Sequence, residues 1–181
     1  MTTDKAFGCV RNTIRLRSGI YFDLADPKPE QMEIVDIAGA LSKICRFGGH
    51  CYRFYSVAEH CYHCSMVAEA SPLALLLHDA AEAFTGDIVK PLKIMLPEFE
   101  AIEQRIEDII AAKYVVDFSH PEVKEIDQAM LIAERRRLFT RDSVLWTGED
   151  KVRKLDPPLQ MWRPEEAEAM FIRRANELGA L

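Results

Sequence analysis

Apolar residues recur at intervals of three and four along most of the chain, which is the spacing of helices with one buried face. This pattern predicts helices over residues 31–46, 57–69, 72–84 and 98–113, from residue 121 onward, and over residues 165–178. Polar and apolar residues alternate instead around Ser18 and Gly19, which predicts a β-hairpin over residues 13–23. Residues 87–97 and 142–163 lack a clear period and are predicted to be mostly loop. The predicted fold class is all-α with one small N-terminal β-hairpin.

Some polar residues fall at positions with a definite expected role in these helices. Asp36 lies on the polar side of the helix over residues 31–46. Ser56 precedes the next helix and Glu59 follows three residues later, which is the spacing of a capping box. In that motif each side chain accepts a hydrogen bond from the other residue's backbone N–H, so the pair predicts where the helix begins.

Composition and charge narrow the class of protein. A chain of 181 residues with 49% hydrophobic residues is long enough to bury a core, and the simplest expectation is one domain over residues 1–181. No run of roughly 18 uncharged apolar residues is present, so no membrane partner is expected. The net charge of −6 argues against binding a nucleic-acid polymer. Five cysteines without an apolar leader segment predict reduced thiols in a cytoplasmic protein.

An adjacent His-Asp pair gives the strongest indication of chemistry. His78 and Asp79 directly follow three leucines on one predicted helix, and His60 lies on the preceding predicted helix. Asp127 stands within an apolar helical face further along the chain. Two imidazoles and two carboxylates suit one divalent transition metal ion (Mn, Co, Fe, Ni or Zn) better than Ca or Mg, which prefer oxygen ligands. These four residues are therefore the candidate metal ligands.

The residues alone leave other interpretations open. An isolated helical His or Asp is usually not a ligand, and Asp127 could instead pair with Arg135 or Arg136, because a buried charge needs a partner. Cys61 and Cys64 form one Cys-x2-Cys spacing without a second pair, so they are expected to pack as small apolar groups rather than bind zinc.

Glu82 is the candidate acid/base. It follows His78 by four residues and Asp79 by three, so it projects from the same face of the predicted helix. A carboxylate there could accept a proton from an attacking water whose pKa a divalent ion lowers. The alternative for Glu82 is an ordinary solvated position on a helix surface.

Taken together, these residues resemble the H…HD…D signature of the HD-domain phosphohydrolases, and most closely the bacterial HD-domain 5'-nucleotidases. The segment 56–60 is similar to the family's first-His segment, and residues 78–87 followed by 91–93 are similar to its long second motif. Phage dATP triphosphohydrolases of the same type are also similar. The resemblance covers roughly residues 46–136 and implies an HD-domain helical bundle.

The resemblance also implies a role for each matching residue. His60, His78, Asp79 and Asp127 would bind the metal, while Glu82 and Asp79 would form the catalytic centre. Residues implied to bind substrate are Asp87, near the nucleotide sugar, Lys93, near phosphate, and the pair Arg46 and Phe47, where the best-known members have Trp in place of Phe. His50 has no clear counterpart, and it could contact phosphate, donate a proton to the leaving group, or have no role.

Three functions remain open at this point. The first is a metal-dependent 5'-nucleotidase acting on nucleoside or deoxynucleoside monophosphates. The second is a deoxynucleoside triphosphate triphosphohydrolase, which would need further cations to bind the outer phosphates, drawn from Arg15, Arg17, Arg53 and Lys90. The third is an inactive HD scaffold that binds a nucleotide or a signalling partner. The resemblance further implies a homo-oligomer, either a dimer or a larger assembly.

Overall fold

The computed structural model describes residues 12–139, 144–146 and 148–181, and these are largely helical. A two-stranded antiparallel sheet, β1 and β2, precedes the helices α1 to α8. The elements are β1 Thr13–Arg15, β2 Tyr21–Asp23, α1 Ile34–Leu41, α2 Val57–Val67, α3 Pro72–Leu77, α4 Glu82–Thr85, α5 Lys90–Lys93, α6 Pro97–Tyr114, α7 Pro121–Leu138 and α8 Pro164–Glu177. Short 3-10 turns cover Pro29–Gln31, Phe47–Gly49 and Glu149–Lys151. Across these residues, no helix has the length and apolar character needed to cross a membrane.

The β-hairpin prediction is confirmed. Ile14 pairs with Phe22 in the register of β1 and β2, and Phe22 is fully buried with its ring stacked on Phe84 at 4.2 Å. The prediction for Asp36 is wrong, because its carboxylate is buried beneath the hairpin. Its Oδ1 accepts a hydrogen bond of 2.9 Å from the backbone N–H of Ser18. The hairpin is therefore joined to α4 by apolar packing and to α1 by a polar contact.

Helix α2 lies at the centre of the described fold, packed against α3, α7 and α8. Its residues Val57, Ala58, Cys61 and Cys64 are fully buried, so little of the helix faces solvent. The facing α3 buries only apolar side chains, whose removal from water stabilises the fold by about 25 cal/mol for each Å², whereas α2 also buries the polar residues Glu59, His60, His63 and Ser65. This central helix also carries His60.

The capping-box prediction at the start of α2 is half right. Ser56 Oγ accepts the backbone N–H of Glu59 at 3.1 Å, as expected of an N-cap. The carboxylate of Glu59 is fully buried and instead accepts three backbone N–H groups from the segment before α8. These donors are Gln160 at 2.7 Å, Met161 at 2.8 Å and Trp162 at 2.8 Å. Glu59 thus joins two segments that are distant in sequence.

Replacing Glu59 by Gln is expected to lower the free energy of unfolding by about 2–3 kcal/mol, the scale of a lost hydrogen bond to a charged group plus an unpaired buried donor. The Gln side chain has one acceptor oxygen, whereas the Glu carboxylate has two. Its NH₂ group would therefore face a backbone N–H, and two donors cannot form a hydrogen bond with each other. Urea unfolding with matched m-values would measure the change, and the exposed Glu69→Gln serves as control. Equal midpoints for the two variants would contradict this role.

Three helical predictions need correction. The helix predicted over residues 31–46 ends at Leu41, because the chain beyond it pairs with the entry to α2. There Cys45 forms an isolated antiparallel bridge with Ser56. The predicted loop 87–97 contains the short helix α5, with Pro91 in the first turn, where it needs no N–H donor. The helix predicted over residues 72–84 is interrupted between α3 and α4, a break that shapes the site described below.

The remaining predictions agree closely with the structure. Helices α6, α7 and α8 begin or end within one residue of the expected positions where those were stated. The segment predicted over residues 142–163 is mostly non-helical where the structure describes it, apart from the turn Glu149–Lys151. Residues 142, 143 and 147 of that prediction lie outside the described residues.

Candidate metal centre and active site

The four candidate ligand residues lie together where α2, the end of α3 and α7 meet. The Nε2 atoms of His60 and His78 are 3.2 Å apart. Asp127 Oδ1 lies 3.2 Å from the His60 nitrogen and 3.7 Å from the His78 nitrogen. Asp79 Oδ2 lies 3.7 Å from the first nitrogen and 3.4 Å from the second. Two nitrogens and two oxygens from three elements therefore converge on one point.

Hydrogen bonds on the far side of each imidazole determine which nitrogen faces this point. His60 Nδ1 lies 2.7 Å from Glu134 Oε1, and His78 Nδ1 lies 2.8 Å from the carbonyl oxygen of Leu75. Both partners accept hydrogen bonds, so both Nδ1 atoms are the donors. In the neutral tautomer each Nε2 then carries a lone pair, and the two lone pairs face one another at 3.2 Å. A cation between the two lone pairs, either a proton or a metal ion, would stabilise this arrangement.

The distances fit a divalent transition metal ion. Ligand atoms at about 2.1 Å from one ion lie about 3.0–3.4 Å apart in octahedral or tetrahedral geometry, close to the spacing of these four atoms.

The local charge also favours a cation. Burial lowers the pKa of His78, but the Asp79 carboxylate outweighs it, and the pKa stands well above its usual value. Partial burial would raise the pKa of Asp127, but hydrogen bonds from His60 and His78 hold it well below its usual value.

The break between α3 and α4 places Asp79 and Glu82 beside the convergence point. After Leu77 the backbone switches to i→i−3 bonds, with the N–H of Ala80 donating to Leu77 and that of Glu82 donating to Asp79. This tighter winding carries the chain around a corner instead of continuing a straight helix. His78, Asp79 and Glu82 consequently line the same turn rather than one continuous helical face.

Glu82 has the most altered acid/base chemistry near the site. Its side chain is nearly buried, and among the described residues its Oε2 has no hydrogen-bond partner. Burial, together with the negative charges of Asp79 and Asp87, raises the pKa of Glu82 to about 9. The pKa of the half-buried Asp87 is also raised, chiefly by burial and then by Asp79, against the opposing effect of Arg46. An unpaired buried carboxyl beside candidate metal ligands is typical of a catalytic group.

Arg46 brings a buried positive charge to the same place. Its Nη1 lies 3.3 Å from Asp79 Oδ2, and its Nε lies 3.1 Å from Glu134 Oε2. Burial lowers the pKa of Arg46, but these carboxylates outweigh burial and raise it well above the usual value. Arg46 therefore remains charged and is positioned to meet an anion bound beside the metal ligands.

Phe47, the neighbour of Arg46, has a strained backbone. Its φ angle is 58°, which is uncommon for a bulky residue, and its ring lies 5.6 Å from the Arg46 guanidinium and edge-on to Phe139 at 5.1 Å. Strained backbone of this kind concentrates at functional sites. His50, three residues further on, is exposed in the same loop.

Lys93 differs from the expectation of a free phosphate-binding cation. Its Nζ lies 2.8 Å from Glu103 on α6, and its side chain is mostly buried. Burial lowers the pKa of Lys93, but Glu103 first, and then Glu82 and Asp79, raise it above the usual value. The ammonium therefore balances the carboxylates of the site while it is engaged by Glu103.

Two thiols lie next to the candidate ligands. The Cys64 sulfur lies within 4.8 Å of a ring nitrogen of both His60 and His78. The Cys61 sulfur lies within the same distance of a ring nitrogen of His78 and a carboxylate oxygen of Asp79. The Sγ of Cys64 is 3.6 Å from Nε2 and 3.9 Å from Nδ1 of His60, so it is nearly equidistant from the two nitrogens and does not approach Nε2 alone. Burial raises the pKa of Cys61 to about 11. The contacts fit packed, protonated thiols.

Glu134 was not among the predicted site residues. It is fully buried on α7 and contacts His60 and Arg46 through different carboxylate oxygens. Burial would raise its pKa, but the positive charges of Arg46 and His60 hold the pKa below its usual value. Glu134 follows Asp127 by seven residues, which places both on one face of a helix. This seven-residue spacing from Asp127 is the feature of the sequence that could have identified Glu134 as a residue of the site.

Comparisons with known proteins agree with the resemblance. The profile of the 5'-deoxynucleotidase YfbR-like family matches residues 57–144, a range that contains all four candidate ligands. "Uncharacterized protein YfdR" of Escherichia coli (strain K12) is 38% identical over 176 residues, covering 93% of this chain and 96% of the relative. "Uncharacterized protein RCAP_rcc00048" of Rhodobacter capsulatus is 42% identical over 89 residues, covering 44% of this chain and 45% of the relative. The chain belongs to the YfbR-like family of HD-domain 5'-deoxynucleotidases.

Proposed function

We propose that the protein is a divalent-metal-dependent 5'-deoxynucleotidase, which removes phosphate from deoxynucleoside monophosphates. The observation that carries this proposal is the convergence of His60, His78, Asp79 and Asp127 beside an unpaired Glu82. The family gives the substrate class, because its name specifies a 5'-deoxynucleotidase. His60, His78, Asp79 and Asp127 are proposed to hold one ion of Mn, Co, Fe, Ni or Zn.

The proposed roles follow from the charges at the site. A divalent ion held there would supply Lewis-acid stabilisation of the phosphoryl group and make water a better nucleophile. Glu82, in its ionised form, accepts the proton of the attacking water. Arg46 binds the phosphoryl oxygens and offsets their developing charge. Asp87 accepts a hydrogen bond from the nucleotide sugar, and Phe47 contacts the nucleoside.

Lys93 acts on the phosphate through charge rather than by direct contact. Its ammonium is held by Glu103 at 2.8 Å, yet it still interacts electrostatically with Glu82 and Asp79. Lys93 therefore lowers the negative charge that a phosphate meets on entering the site. This proposed role is weaker than that of Arg46, whose guanidinium contacts Asp79 directly.

Two of the four cations considered for the outer phosphates of a triphosphate contact other groups of the protein, which favours a monophosphate. Arg17, one of the cations considered for the outer phosphates, forms an ion pair with Glu168 on α8. Another, Arg53, is directed at Met161, with Nη1 3.7 Å from the sulfur. Both contacts point these guanidinium groups at partners other than a polyphosphate. The unpaired carboxyl oxygen of Glu82 likewise favours an active enzyme over an inactive scaffold.

A release assay tests the proposal and separates it from the two alternatives. The protein is treated with a chelator, reloaded with Mn²⁺, Co²⁺, Zn²⁺ or Ni²⁺, and offered 5'- and 3'-deoxynucleoside monophosphates, ribonucleoside monophosphates and deoxynucleoside triphosphates. We expect metal-dependent release of inorganic phosphate from 5'-deoxynucleoside monophosphates, and loss of both bound metal and release in Asp127→Asn. Tripolyphosphate from triphosphates would identify the triphosphohydrolase instead. Stoichiometric metal with no turnover on the whole panel would identify the inactive scaffold.

A further inference from the structure

Two cysteines stand close together at the ends of the loop that carries Arg46. The Sγ atoms of Cys45 and Cys51 are 3.6 Å apart, and both residues are half-buried. A disulfide has an S–S bond of about 2.05 Å, so the sulfurs must approach by only a small displacement. Both residues are only partly buried, so a small disulfide in solution can reach the pair.

The backbone on both sides of the pair is hydrogen-bonded to other segments of the chain. Cys45 lies in the antiparallel bridge with Ser56, and the neighbouring N–H of Arg46 donates to Tyr55 at 2.9 Å. The intervening loop contains Gly48 and Gly49, both exposed and with positive φ angles, and a side chain added at Gly49 would meet no atom within 4 Å. After Cys51, the backbone N–H of Tyr52 donates to Leu138 at 3.1 Å, so the open position at Gly49 is where the loop between the two cysteines has room to adjust.

We propose that Cys45 and Cys51 are a modification site, at which a reversible intramolecular disulfide forms by exchange with a low-molecular-weight disulfide such as oxidised glutathione. The bond would constrain the segment that carries Arg46 and Phe47. Cys51 Sγ now lies 3.8 Å from the backbone oxygen of Arg46, and closing the bond draws the sulfur from that oxygen towards Cys45. This proposal does not depend on the proposed nucleotide hydrolysis.

The reaction balances in two exchange steps. One protein thiolate attacks a sulfur of oxidised glutathione, which forms a mixed disulfide and releases one glutathione thiolate. The second protein thiolate attacks the protein sulfur of the mixed disulfide and releases the second glutathione. Overall, the two cysteines lose two protons and two electrons, and oxidised glutathione takes them up to become two thiols.

The environment of Cys51 slows the step in which this thiol attacks. Burial, together with the hydrogen bond between the Cys51 and Cys45 side chains, raises the pKa of Cys51 to about 11, so little Cys51 thiolate is present near neutral pH. Exchange requires a thiolate, so the reaction is slow and needs a long incubation. Because the exchange is reversible, the pair is expected to be reduced as long as a thiol reductant is in excess.

The test uses the full chain carrying Cys9→Ser, which excludes pairing with a cysteine outside the described residues. The protein is incubated with oxidised glutathione, and free thiols, intact mass and digested peptides are measured under denaturing conditions. We expect the loss of two thiols, a mass lower by two hydrogen atoms, a linked peptide joining Cys45 to Cys51, and full reversal by dithiothreitol.

A second variant shows which thiols react. Adding Cys51→Ser to the Cys9→Ser chain should prevent the mass loss and leave a single glutathione adduct on Cys45, because no second thiol is available to displace it. Four unreacted thiols in the Cys9→Ser protein after a long incubation would overturn the proposal. So would a linked peptide that joins any other pair of cysteines.

Discussion

Replacing Glu82 by Gln is expected to lower kcat for phosphate release by about 10²–10⁴-fold, the usual contribution of a positioned general base. The amide keeps the shape of the side chain but cannot accept a proton from the attacking water. The carboxyl is nearly buried, and its Oε2 lacks a partner among the described residues, so the substitution removes no hydrogen bond made by that oxygen. Metal content and thermal stability should therefore stay close to those of the wild type.

The pH dependence gives this prediction a second readout. Burial and the charges of Asp79 and Asp87 raise the pKa of Glu82 to about 9, and a bound cation lowers it from there. Glu82 must be ionised to accept a proton, so activity is expected to rise with pH as this group loses its own proton. The acidic limb of the kcat profile should lie above the ordinary Glu value of about 4.3 and should be absent in Glu82→Gln.

The matched control for this position is Glu100→Gln, an exposed carboxylate in the first turn of α6. It removes the same charge without touching the site. Steady-state kinetics across pH, with metal content measured on each preparation, would compare the two variants. If Glu82→Gln retains kcat within a few-fold and keeps the acidic limb, another group is the base.

Replacing Glu134 by Gln is expected to weaken metal binding by about 10–100-fold, the usual effect of losing a partner that orients a ligand. Glu134 accepts the Nδ1–H of His60 at 2.7 Å and the Nε–H of Arg46 at 3.1 Å, using one carboxylate oxygen for each. A Gln side chain has one acceptor and one donor group, so it cannot serve both partners. If its oxygen faces Arg46, its NH₂ group faces the imidazole of His60.

The tautomer of His60 explains why metal binding is affected. An NH₂ group opposite Nδ1 favours the tautomer whose proton is on Nε2, the atom that faces His78 and Asp127. That proton occupies the direction in which a metal would bind. Glu134 is therefore a positioning residue for both the metal ligand and the phosphate-binding arginine, rather than a group that touches substrate.

Calorimetric titration of metal-free protein with Zn²⁺ would measure the effect, and nitrogen NMR of the labelled imidazole would report the tautomer directly. Glu125→Gln is the matched control, because Glu125 is an exposed carboxylate on the same helix α7. A merely structural role would lower the unfolding midpoint without changing the tautomer. Unchanged affinity and tautomer in folded Glu134→Gln would refute the positioning role.

Local patterns in the sequence were sufficient for much of the fold and for the candidate ligand set. Apolar periodicity located α6, α7 and α8 well, because each of these helices buries one stripe along its whole length. The chemistry of the donors led to His60, His78, Asp79 and Asp127, and the structure brings these four side chains together. Their roles as metal ligands rest on the experiments proposed here.

Apolar periodicity did not predict the contacts of Glu59 and Lys93, because their partners are distant in the chain. The sequence predicted that Glu59 caps its own helix. Its carboxylate oxygens instead accept hydrogen bonds from the backbone N–H groups of Gln160, Met161 and Trp162, about a hundred residues away. Lys93 looked free, but Glu103 on another helix engages it. The break after Leu77 changes hydrogen bonding from i→i−4 to i→i−3, and the apolar pattern is compatible with either.

His60, His78, Asp79 and Asp127 are proposed to hold a single divalent ion. Crystals of protein loaded with Zn²⁺, measured on both sides of the zinc absorption edge, would locate the ion by anomalous scattering. We expect one strong peak about 2.0–2.2 Å from the two Nε2 atoms and from one oxygen of each carboxylate. A peak bound by the thiols of Cys61 or Cys64, or no peak at this position in stoichiometrically loaded protein, would contradict it.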